Sequence, residues 1–372
     1  MIKKYFILMT VLGFSLITHA NEVKVGLVGS LTGAQATFGQ STHKGVELAI
    51  NEINEAGGVK GTKLKLVSLD DQGKADEAAT VVNRLISQEK VIAVLGEVSS
   101  KISLAMAPIA QQYKVPMISP SSTNPDVTKK GEYIFRVCFI DPFQGHVMAK
   151  FAIENLKINK VAVLTDVAND YSVGLADFFK QTFKKMGGTI VVEQSYSAND
   201  IDFKSQLTAI KTKGPEAIYV PGYYGDVGLI ARQAQSLGIK VPLLGGDGWD
   251  SPKLREIAGK SIVGSYFSNH YSFEDKAQHV QDFITRFKKA YGVVPDGLSA
   301  LGYDAGKVLI EAMKRSSNHI DPKEIRKEIA NTKNYQGVTG LITMDQNRNP
   351  VKSAVVLKVS DSGFKYQTTI TP

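Results

Sequence analysis

The sequence predicts an α/β protein with two lobes, each a doubly wound layer around a parallel sheet. Short apolar runs end repeatedly at Gly, Pro or Ser, as buried strands of parallel sheets do. Segments with apolar residues at helical spacing follow these runs, and such alternation is typical of this fold class. The alternation restarts around residues 133–155 without a flexible linker, and a length of 372 residues favours two domains over one.

The first series of elements ends near residue 118. A helix with one apolar face begins at Ser41, and Gly57-Gly58 ends it through a left-handed cap. Pro108 predicts a kink in the helix that follows the third strand. Strands are expected at 23–29, 64–69, 91–95 and 115–118, a loop at 31–40, and helices at 41–56, 75–88 and 100–113.

The second series begins at Asp141-Pro142, where a capping residue precedes Pro at the first helical position. The tail, 338–370, alternates between apolar and polar residues and contains turn signals, which predicts two or three strands. Strands are also expected at 161–164, 189–193, 217–220 and 241–244, and helices from 171 and 251, at 203–211, 227–237, 274–291 and 298–313, and from 321.

The stretch PMISPSSTNP, residues 116–125, follows the last strand of the first series. Small ligands of open α/β sheets bind at the carboxyl ends of strands. Ser121, Ser122 and Thr123 would offer hydroxyl groups and free backbone groups there without bulk. The alternative is an ordinary loop, since loops favour these residue types.

The N-terminus has the pattern of a secretory signal at residues 1–20. Lys3 and Lys4 precede an apolar segment that is too short for a comfortable membrane span, and a small residue, Ala20, precedes the expected cleavage site. The next residue is Asn21 and not the Cys of a lipid-anchored protein, so we expect free diffusion in a periplasm. Cys138 is the only cysteine, which rules out an intramolecular disulfide, and we expect it in the core.

The formal net charge is +8, and it falls to +6 when Lys3 and Lys4 leave with the signal. A basic protein can bind nucleic acid or anionic membranes. The lysines here are dispersed and interleaved with acidic residues, and the chain is exported, so we expect no nucleic-acid partner and an ordinary solvated surface.

Sequence motifs of catalysis are absent. No two histidines stand at a metal-ligand spacing, no G-x-S-x-G nucleophile elbow occurs, and no G-x-G-x-x-G follows a predicted strand. The expectation is therefore a binding protein with no catalytic residue, no metal and no cofactor, although carboxylate catalysis leaves little trace in a sequence.

Several stretches resemble the leucine/isoleucine/valine-binding proteins, which are type I periplasmic binding proteins of branched-chain amino-acid ABC transporters. They are VGLVGSLTGAQATFGQ, GVELAINEINEAGGVKGTKLKLVSLDDQG, PMISPSSTNP and GGDGWD, and they keep their order over nearly the whole mature chain. The resemblance implies two Rossmann-like lobes with parallel sheets, joined by three hinge crossings near residues 140, 270 and 340. The N-terminal lobe would comprise 21–140 and 271–339, and the C-terminal lobe 141–270 and 340–372.

The resemblance also implies how the ligand is held. Ser100, at the start of a helix, matches the hydroxyl residue that binds the ligand carboxylate; the alternative is a plain capping serine. Ser121 matches the residue whose carbonyl accepts from the ligand ammonium, and Thr123 matches the threonine that contacts both groups. Asp247 matches the acidic partner of the ammonium, although Glu is common there in leucine binders. With the shorter Asp, the ligand would lie in a different position, or a water would bridge the carboxylate and the ammonium. The alternative to a binding role is that Asp247 only forms a Gly-Asp-Gly turn.

The side-chain pocket implied by the resemblance is aromatic. Phe38 replaces the usual Tyr, while Tyr171 and Tyr223 match family tyrosines. Trp249, next to Asp247, is a further candidate because Trp combines a large apolar face with one donor. Each of these aromatic residues has an alternative role in the core or at the rim.

The function implied is a monomeric, non-enzymatic receptor that captures an aliphatic, branched-chain α-amino acid between the lobes and delivers it to the permease subunits of an ABC transporter. A receptor or sensor of the same fold for another small ligand, such as a short amide, a dicarboxylate or an aromatic acid, is the alternative. An exported hydrolase on the same scaffold is a third possibility.

Overall fold

Two open sheets organise the chain in the computed structural model, which describes residues 22–198 and 200–372. The predicted signal segment, 1–20, lies outside the described residues. Within the described part of the chain, no helix has the length and apolar character that a membrane span requires. The predicted α/β class is confirmed by two sheets whose strands are mostly parallel and flanked by helices.

The first sheet has five parallel strands in the order β2-β1-β3-β4-β5. The central strands of this sheet are short, and a loop follows the carboxyl end of each strand. The strands are Glu22–Gly29 (β1), Lys63–Asp70 (β2), Val94–Leu95 (β3), Met117–Ser119 (β4) and Ile134–Arg136 (β5). The helices between them are Ala36–Glu55 (α1), Ala75–Ser87 (α2), Ser100–Tyr113 (α3) and Asp126–Lys129 (α4).

The second sheet has seven strands in the order β14-β13-β10-β9-β8-β6-β7, and the last two strands of the chain join its edge antiparallel. The strands are Lys160–Asp166 (β6), Thr189–Tyr196 (β7), Ala217–Tyr219 (β8), Leu243–Gly245 (β9), Tyr266–Asn269 (β10), Ala354–Ser360 (β13) and Gly363–Ile370 (β14). The helices are Asp141–Lys150 (α5, continued by a π-helical turn), Asp170–Lys185 (α6), Lys204–Thr212 (α7), Tyr224–Ser236 (α8) and Pro252–Ala258 (α9).

The segment between β10 and β13 returns to the first sheet. One buried apolar cluster contains Val25 of β1 and Val46 of α1 together with Phe283 and Val308 from this segment. The elements of the segment are Gln278–Tyr291 (α10), Gly297–Arg315 (α11), Pro322–Ala330 (α12), Tyr335–Gly337 (β11) and Gly340–Ile342 (β12). This packing agrees with interlaced lobes, while the boundaries near residues 140, 270 and 340 stay a prediction.

Glycines let α1 and α11 approach closely. A Cβ atom at Gly45 would lie 2.0 Å from the carbonyl oxygen of Ser299, and one at Gly302 would lie 2.4 Å from that of Thr42. Both contacts are far shorter than van der Waals distance, so only glycine fits at these positions. The close approach fixes the first turns of both helices, which carry Phe38 and Leu298, relative to each other.

The structure differs from the sequence prediction at one place that bears on the site. The helix α1 begins at Ala36, so part of the predicted loop at 31–40 is helical, and Phe38 lies buried on the first turn against Tyr223 and Tyr224. The predicted tail, 338–370, contains three strands, β12, β13 and β14, within the expected number. β12 pairs with β11, which lies just before the tail, in a separate two-stranded hairpin.

Candidate ligand-binding site

A small cavity lies where the loops of the two sheets meet. Its walls come from segments that follow the carboxyl ends of β1, β3 and β4 on one side and of β6, β8 and β9 on the other, the position at which open α/β sheets bind ligands. The lining residues are Phe38, Val98, Ser100, Ser121, Tyr171, Tyr223, Asp247, Gly248 and Leu298. Six of the eight residues expected at the site therefore line one cavity.

The cavity is nearly closed. The space among its side chains is about 240 Å³ with the opening to solvent included, but the centre of a water-sized sphere can occupy only about 10 Å³ of it. A volume of that size holds roughly one water molecule. A larger ligand can enter only if the walls first move apart.

The first wall is made of buried hydroxyl groups. Ser100 is the first residue of α3, and its Oγ accepts a hydrogen bond from the backbone N–H of Asn124 at 3.3 Å. The hydroxyls of Ser121 and Thr123 are buried and have no hydrogen-bond partner among the described residues. Buried polar groups are nearly always paired, so two unpaired hydroxyls beside a helix N-terminus suit an anionic ligand group.

Thr123 lies next to the cavity without lining it. Its side chain is buried, and its carbonyl oxygen accepts from the backbone N–H of Asp141 at 3.0 Å. Thr123 is therefore held beside the first residue of α5.

The opposite wall is centred on the carboxylate of Asp247. Oδ1 accepts hydrogen bonds from the hydroxyl of Tyr171 at 2.9 Å and from Nε2 of Gln144 at 2.8 Å. Oδ2 lies 3.0 Å from Nε2 of His270. A carboxylate offers about four acceptor positions, so one remains for a donor from a ligand in the cavity.

His270 supports Asp247 as a neutral imidazole. Burial lowers the pKa of His270, and the adjacent Asp247 opposes that shift only in part. The ring stacks on Phe139 with centroids 3.7 Å apart, and Nδ1 has no partner among the described residues. Because the carboxylate can only accept, the neutral ring must carry its proton on Nε2. Nε2–H of His270 therefore donates to Oδ2 of Asp247.

Two other buried acids near the cavity are held neutral. Burial raises the pKa of Asp141 to about 8, and the nearby Thr123 hydroxyl opposes that shift only in part. Burial, together with the nearby Asp71, also raises the pKa of Glu97 to about 8. Of these three acids, Asp247 is the one that lines the cavity.

Aromatic rings form the remaining wall and join the two sides. Tyr171 and Tyr223 stack with centroids 5.2 Å apart, and Phe38 meets Tyr223 edge-on at 5.8 Å. The hydroxyl of Tyr223 donates to Oγ of Ser99 at 3.2 Å, and the hydroxyl of Tyr224 donates to the carbonyl of Ala34 at 2.7 Å. These bonds hold the two sides together across the cleft.

Trp249 does not line the cavity, contrary to the sequence-based expectation. It is fully buried, its Nε1 donates to the carbonyl of Val220 at 3.1 Å, and its ring packs near Phe267. The short helical turn at 247–249 directs Asp247 and Trp249 to different sides. A Cβ atom at Gly245 would lie 2.1 Å from the Trp249 ring, so that glycine makes room for it.

Sequence analysis missed five residues of this region. Val98, Gly248 and Leu298 line the cavity, while Gln144 and His270 hold the Asp247 carboxylate from behind. Leu298 lies in the first turn of a predicted amphipathic helix, and that position was the sequence feature that could have indicated its place in the cavity. Nothing in the sequence pairs Gln144 or His270 with Asp247. Among residues 22–198 and 200–372, no group of three or more His, Cys, Asp or Glu side chains is arranged to hold a metal ion.

Comparison with known proteins places this architecture in a family. The family model described as periplasmic binding protein matches residues 22–363. A Leu/Ile/Val-binding protein homolog from Brucella melitensis is 31% identical over 336 residues, 90% of both chains. The crystal structure of the leucine-binding protein LivK from Thermotoga maritima is 41% identical with a TM-score of 0.90, covering 94% of this chain and 99% of that one.

A second solved structure is equally close in shape. The branched-chain amino-acid transporter substrate-binding protein LivJ from Streptococcus pneumoniae, in complex with isoleucine, is 34% identical with a TM-score of 0.90. The match covers 95% of this chain and 100% of that one. The chain therefore belongs to the periplasmic binding protein family.

Proposed function

We propose that this protein is a periplasmic receptor that captures a free aliphatic, branched-chain α-amino acid and delivers it to an ABC transporter. The observation that carries the proposal is the pairing of opposite chemistries in one cavity: a charged acid, Asp247, faces buried hydroxyls at the N-terminus of α3. An α-amino acid carries an ammonium and a carboxylate at a fixed short separation. Charged groups tolerate burial when each is paired and hydrogen-bonded.

The carboxylate of the ligand binds at the hydroxyl wall. Ser100 supplies a hydroxyl and the first turn of α3 supplies free backbone N–H groups, with the positive end of the helix dipole adding to both. Ser121 and Thr123 add two hydroxyls that lack partners within the described chain. The ammonium binds at the free acceptor position of Asp247 and at the carbonyl of Ser121.

The ligand side chain lies among apolar and aromatic groups. Phe38, Tyr171, Tyr223 and Leu298 supply these surfaces, and the hydroxyls of both tyrosines are already engaged by protein atoms. A branched aliphatic side chain suits such a wall because it needs no hydrogen-bond partner. The relatives named for leucine, isoleucine and valine support this choice of ligand class.

Ligand binding favours the closed arrangement of the two sides. In the closed arrangement, Tyr223 and Tyr224 bond across the cleft, and Nδ2 of Asn124 donates to the carbonyl of Asp170 at 3.0 Å. A ligand that contacts both sides stabilises this state over an open one by its differential affinity. The permease subunits then recognise the closed form, and one receptor molecule carries one ligand.

A thermal-shift screen tests the ligand class directly. The panel comprises the twenty amino acids together with benzoate, succinate and acetamide, each added in excess to the receptor freed of bound ligand. Leucine, isoleucine or valine should raise the melting temperature most, because a ligand that binds only the folded state stabilises it by mass action. A larger shift with benzoate, succinate or acetamide would identify a receptor or sensor for another ligand.

A further inference from the structure

A second, larger cavity lies directly behind the first. The centre of a water-sized sphere can occupy about 420 Å³ of it. Residues of the same segments alternate between the two cavities: Phe38 and Leu298 line the first, whereas Thr37, Gly297 and Ser299 line the second. The two cavities therefore lie on opposite sides of these segments and are separate spaces.

Two acids face each other in the second cavity. Asp250 is 3% exposed, and its Oδ2 accepts from the backbone N–H of Gly297 at 2.7 Å, which bridges the segment after β9 and the start of α11. Asp296 accepts from the hydroxyl of Ser41 at 2.6 Å and from the backbone N–H of Ser299 at 2.8 Å. Burial, and the charge of Asp296, raise the pKa of Asp250 to about 7.

No cation of the described chain compensates these acids. None of the salt bridges found there includes Asp250 or Asp296. Of the two basic side chains at the rim, Lys44 lies over the ring of Tyr291, with Nζ 5.9 Å from the centroid, and Arg255 donates to the carbonyl of Asp361. The two acids therefore have no salt-bridge partner among the described residues, although Lys44 and Arg255 line the same cavity.

The hydroxyl of Tyr271 gives an independent indication of a ligand. Tyr271 lines the cavity, it is 5% exposed, and its hydroxyl has no hydrogen-bond partner among the described residues. Asp250 and Asp296 act on this hydroxyl, since their charges add to burial in raising its pKa. A buried hydroxyl oxygen beside two carboxylates can accept a hydrogen bond from a cationic donor.

The rest of the cavity is apolar and partly exposed. Phe273, Val293 and Val294 are 39%, 49% and 50% exposed, and Phe287 and Phe364 add aromatic surface. Exposed apolar surface beside a charged group suits a ligand that has an apolar body and one charged end. Segments associated with the first sheet and segments associated with the second sheet both contribute residues to these walls.

We propose that this second cavity binds a small organic cation, with a primary ammonium between Asp250, Asp296 and Tyr271 and an apolar body against Phe273 and Val294. The ammonium supplies the positive charge that the two carboxylates lack and donates to the free hydroxyl oxygen. Because the walls come from both sides of the cleft, the bound cation favours the closed arrangement. No residue that lines the second cavity also lines the first.

Isothermal titration calorimetry with 2-phenylethylammonium tests the proposal. The neutral analogue 2-phenylethanol has the same apolar body and lacks the charge. We expect the cation to bind with a Kd of about 1 mM or lower and the alcohol to bind at least about tenfold more weakly. Equal affinities, or no heat from the cation at millimolar concentrations, would overturn the proposal.

Variants locate the bound probe. Asp250→Asn preserves the acceptor for Gly297 and removes the charge, and Tyr271→Phe removes only the hydroxyl; each should weaken binding of the cation by about tenfold. Asp247→Ala, which alters the first cavity, should leave that binding within about twofold. The proposal fails if Asp247→Ala abolishes binding, because the probe then occupies the first cavity, or if both Asp250→Asn and Tyr271→Phe bind like the wild type.

Discussion

The Nε2 atom of His270 lies 3.0 Å from Oδ2 of Asp247, and both side chains are buried. With Tyr171 and Gln144 on Oδ1, this contact fixes the carboxylate in one orientation at the cavity wall. A carboxylate that accepts from three donors still has an acceptor position for a ligand. Asp247 is thus prepared to receive an ammonium group.

Replacing Asp247 should weaken amino-acid binding strongly. In Asp247→Ala, the ligand ammonium loses its charged acceptor, and the donors of Tyr171, Gln144 and His270 lose theirs. We expect a loss of about 2–3 kcal/mol in binding free energy, or roughly 30- to 150-fold in Kd, measured by calorimetry with leucine. Asp202→Asn, which alters an exposed acid that does not line the cavity, should bind like the wild type. An unchanged Kd in Asp247→Ala would remove Asp247 from the site.

The charge state of His270 should make ligand binding pH-dependent. Burial lowers the pKa of His270, so the ring is neutral at neutral pH and gains its proton only below its ordinary range. The imidazolium would then neutralise Asp247 and compete with the ligand ammonium, and affinity should fall as the pH is lowered from about 7.5 to about 5. Free amino acids remain zwitterions throughout this range.

His270→Gln isolates this effect. Gln can still donate to Asp247 but does not titrate, so the variant should lose most of the acid-side decrease in affinity while keeping measurable binding at neutral pH. Lys352, whose charge also lowers the pKa of His270, is unchanged in both proteins. Superimposable pH profiles for the two proteins would assign the decrease to another group.

The bond across the cleft from Tyr223 to Ser99 should contribute to closure. Tyr223→Phe removes the hydroxyl and keeps the ring that stacks on Tyr171. We expect leucine to bind about two- to tenfold more weakly, which corresponds to a net hydrogen bond of roughly 0.5–1.5 kcal/mol. Small-angle scattering should show a less compact ligand-free form. Tyr113→Phe removes an exposed hydrogen bond from the tyrosine hydroxyl to Asn83 and serves as the matched control. We expect this variant to bind leucine like the wild type.

The buried carboxyl of Asp141 should make stability fall as the pH rises. Its pKa is raised to about 8 in the folded protein, against about 4 in an unfolded chain. Between these values the folded state binds a proton that the unfolded state has released, so the free energy of unfolding decreases with increasing pH. Asp141→Asn removes this contribution.

Urea unfolding at about pH 5.5 and about pH 8 measures the difference. The wild type should lose more stability than Asp141→Asn over this interval, and Asp202→Asn should follow the wild type. If Asp141→Asn keeps the full pH dependence, the carboxyl of Asp141 titrates near its ordinary pKa or another acid dominates.

The order of strands and helices could be predicted from local sequence because each buried strand is a short apolar run. Strands β1, β2 and β6, for example, begin within one residue of the expected positions. The start of α1 was misplaced because Phe38 joins the helix through contacts with Tyr223 and Tyr224, residues that are distant in the sequence. Contacts of that kind leave no periodic signal.

The candidate site could be predicted only where a hydroxyl or acidic residue lies in the segment that directly follows a strand. Ser100, Ser121 and Asp247 follow β3, β4 and β9, and the resemblance to known binding proteins singled them out. Gln144 contacts Asp247 across 103 positions of the chain, and His270 contacts it across 23, so neither pairing could be inferred. Trp249 lies outside the cavity because a single helical turn points its side chain away from that of Asp247, two residues earlier.

The cavity should hold both charged ends of one α-amino acid. Calorimetry with leucine and two truncated analogues tests this most directly. 4-Methylpentanoate lacks the ammonium that faces Asp247, and 3-methylbutylamine lacks the carboxylate that faces Ser100. In Asp250→Asn protein, where the second cavity should bind the amine only weakly, we expect leucine to bind with sub-millimolar affinity and each analogue to bind at least about 30-fold more weakly. An analogue that binds as tightly as leucine, or a leucine that does not bind, would contradict it.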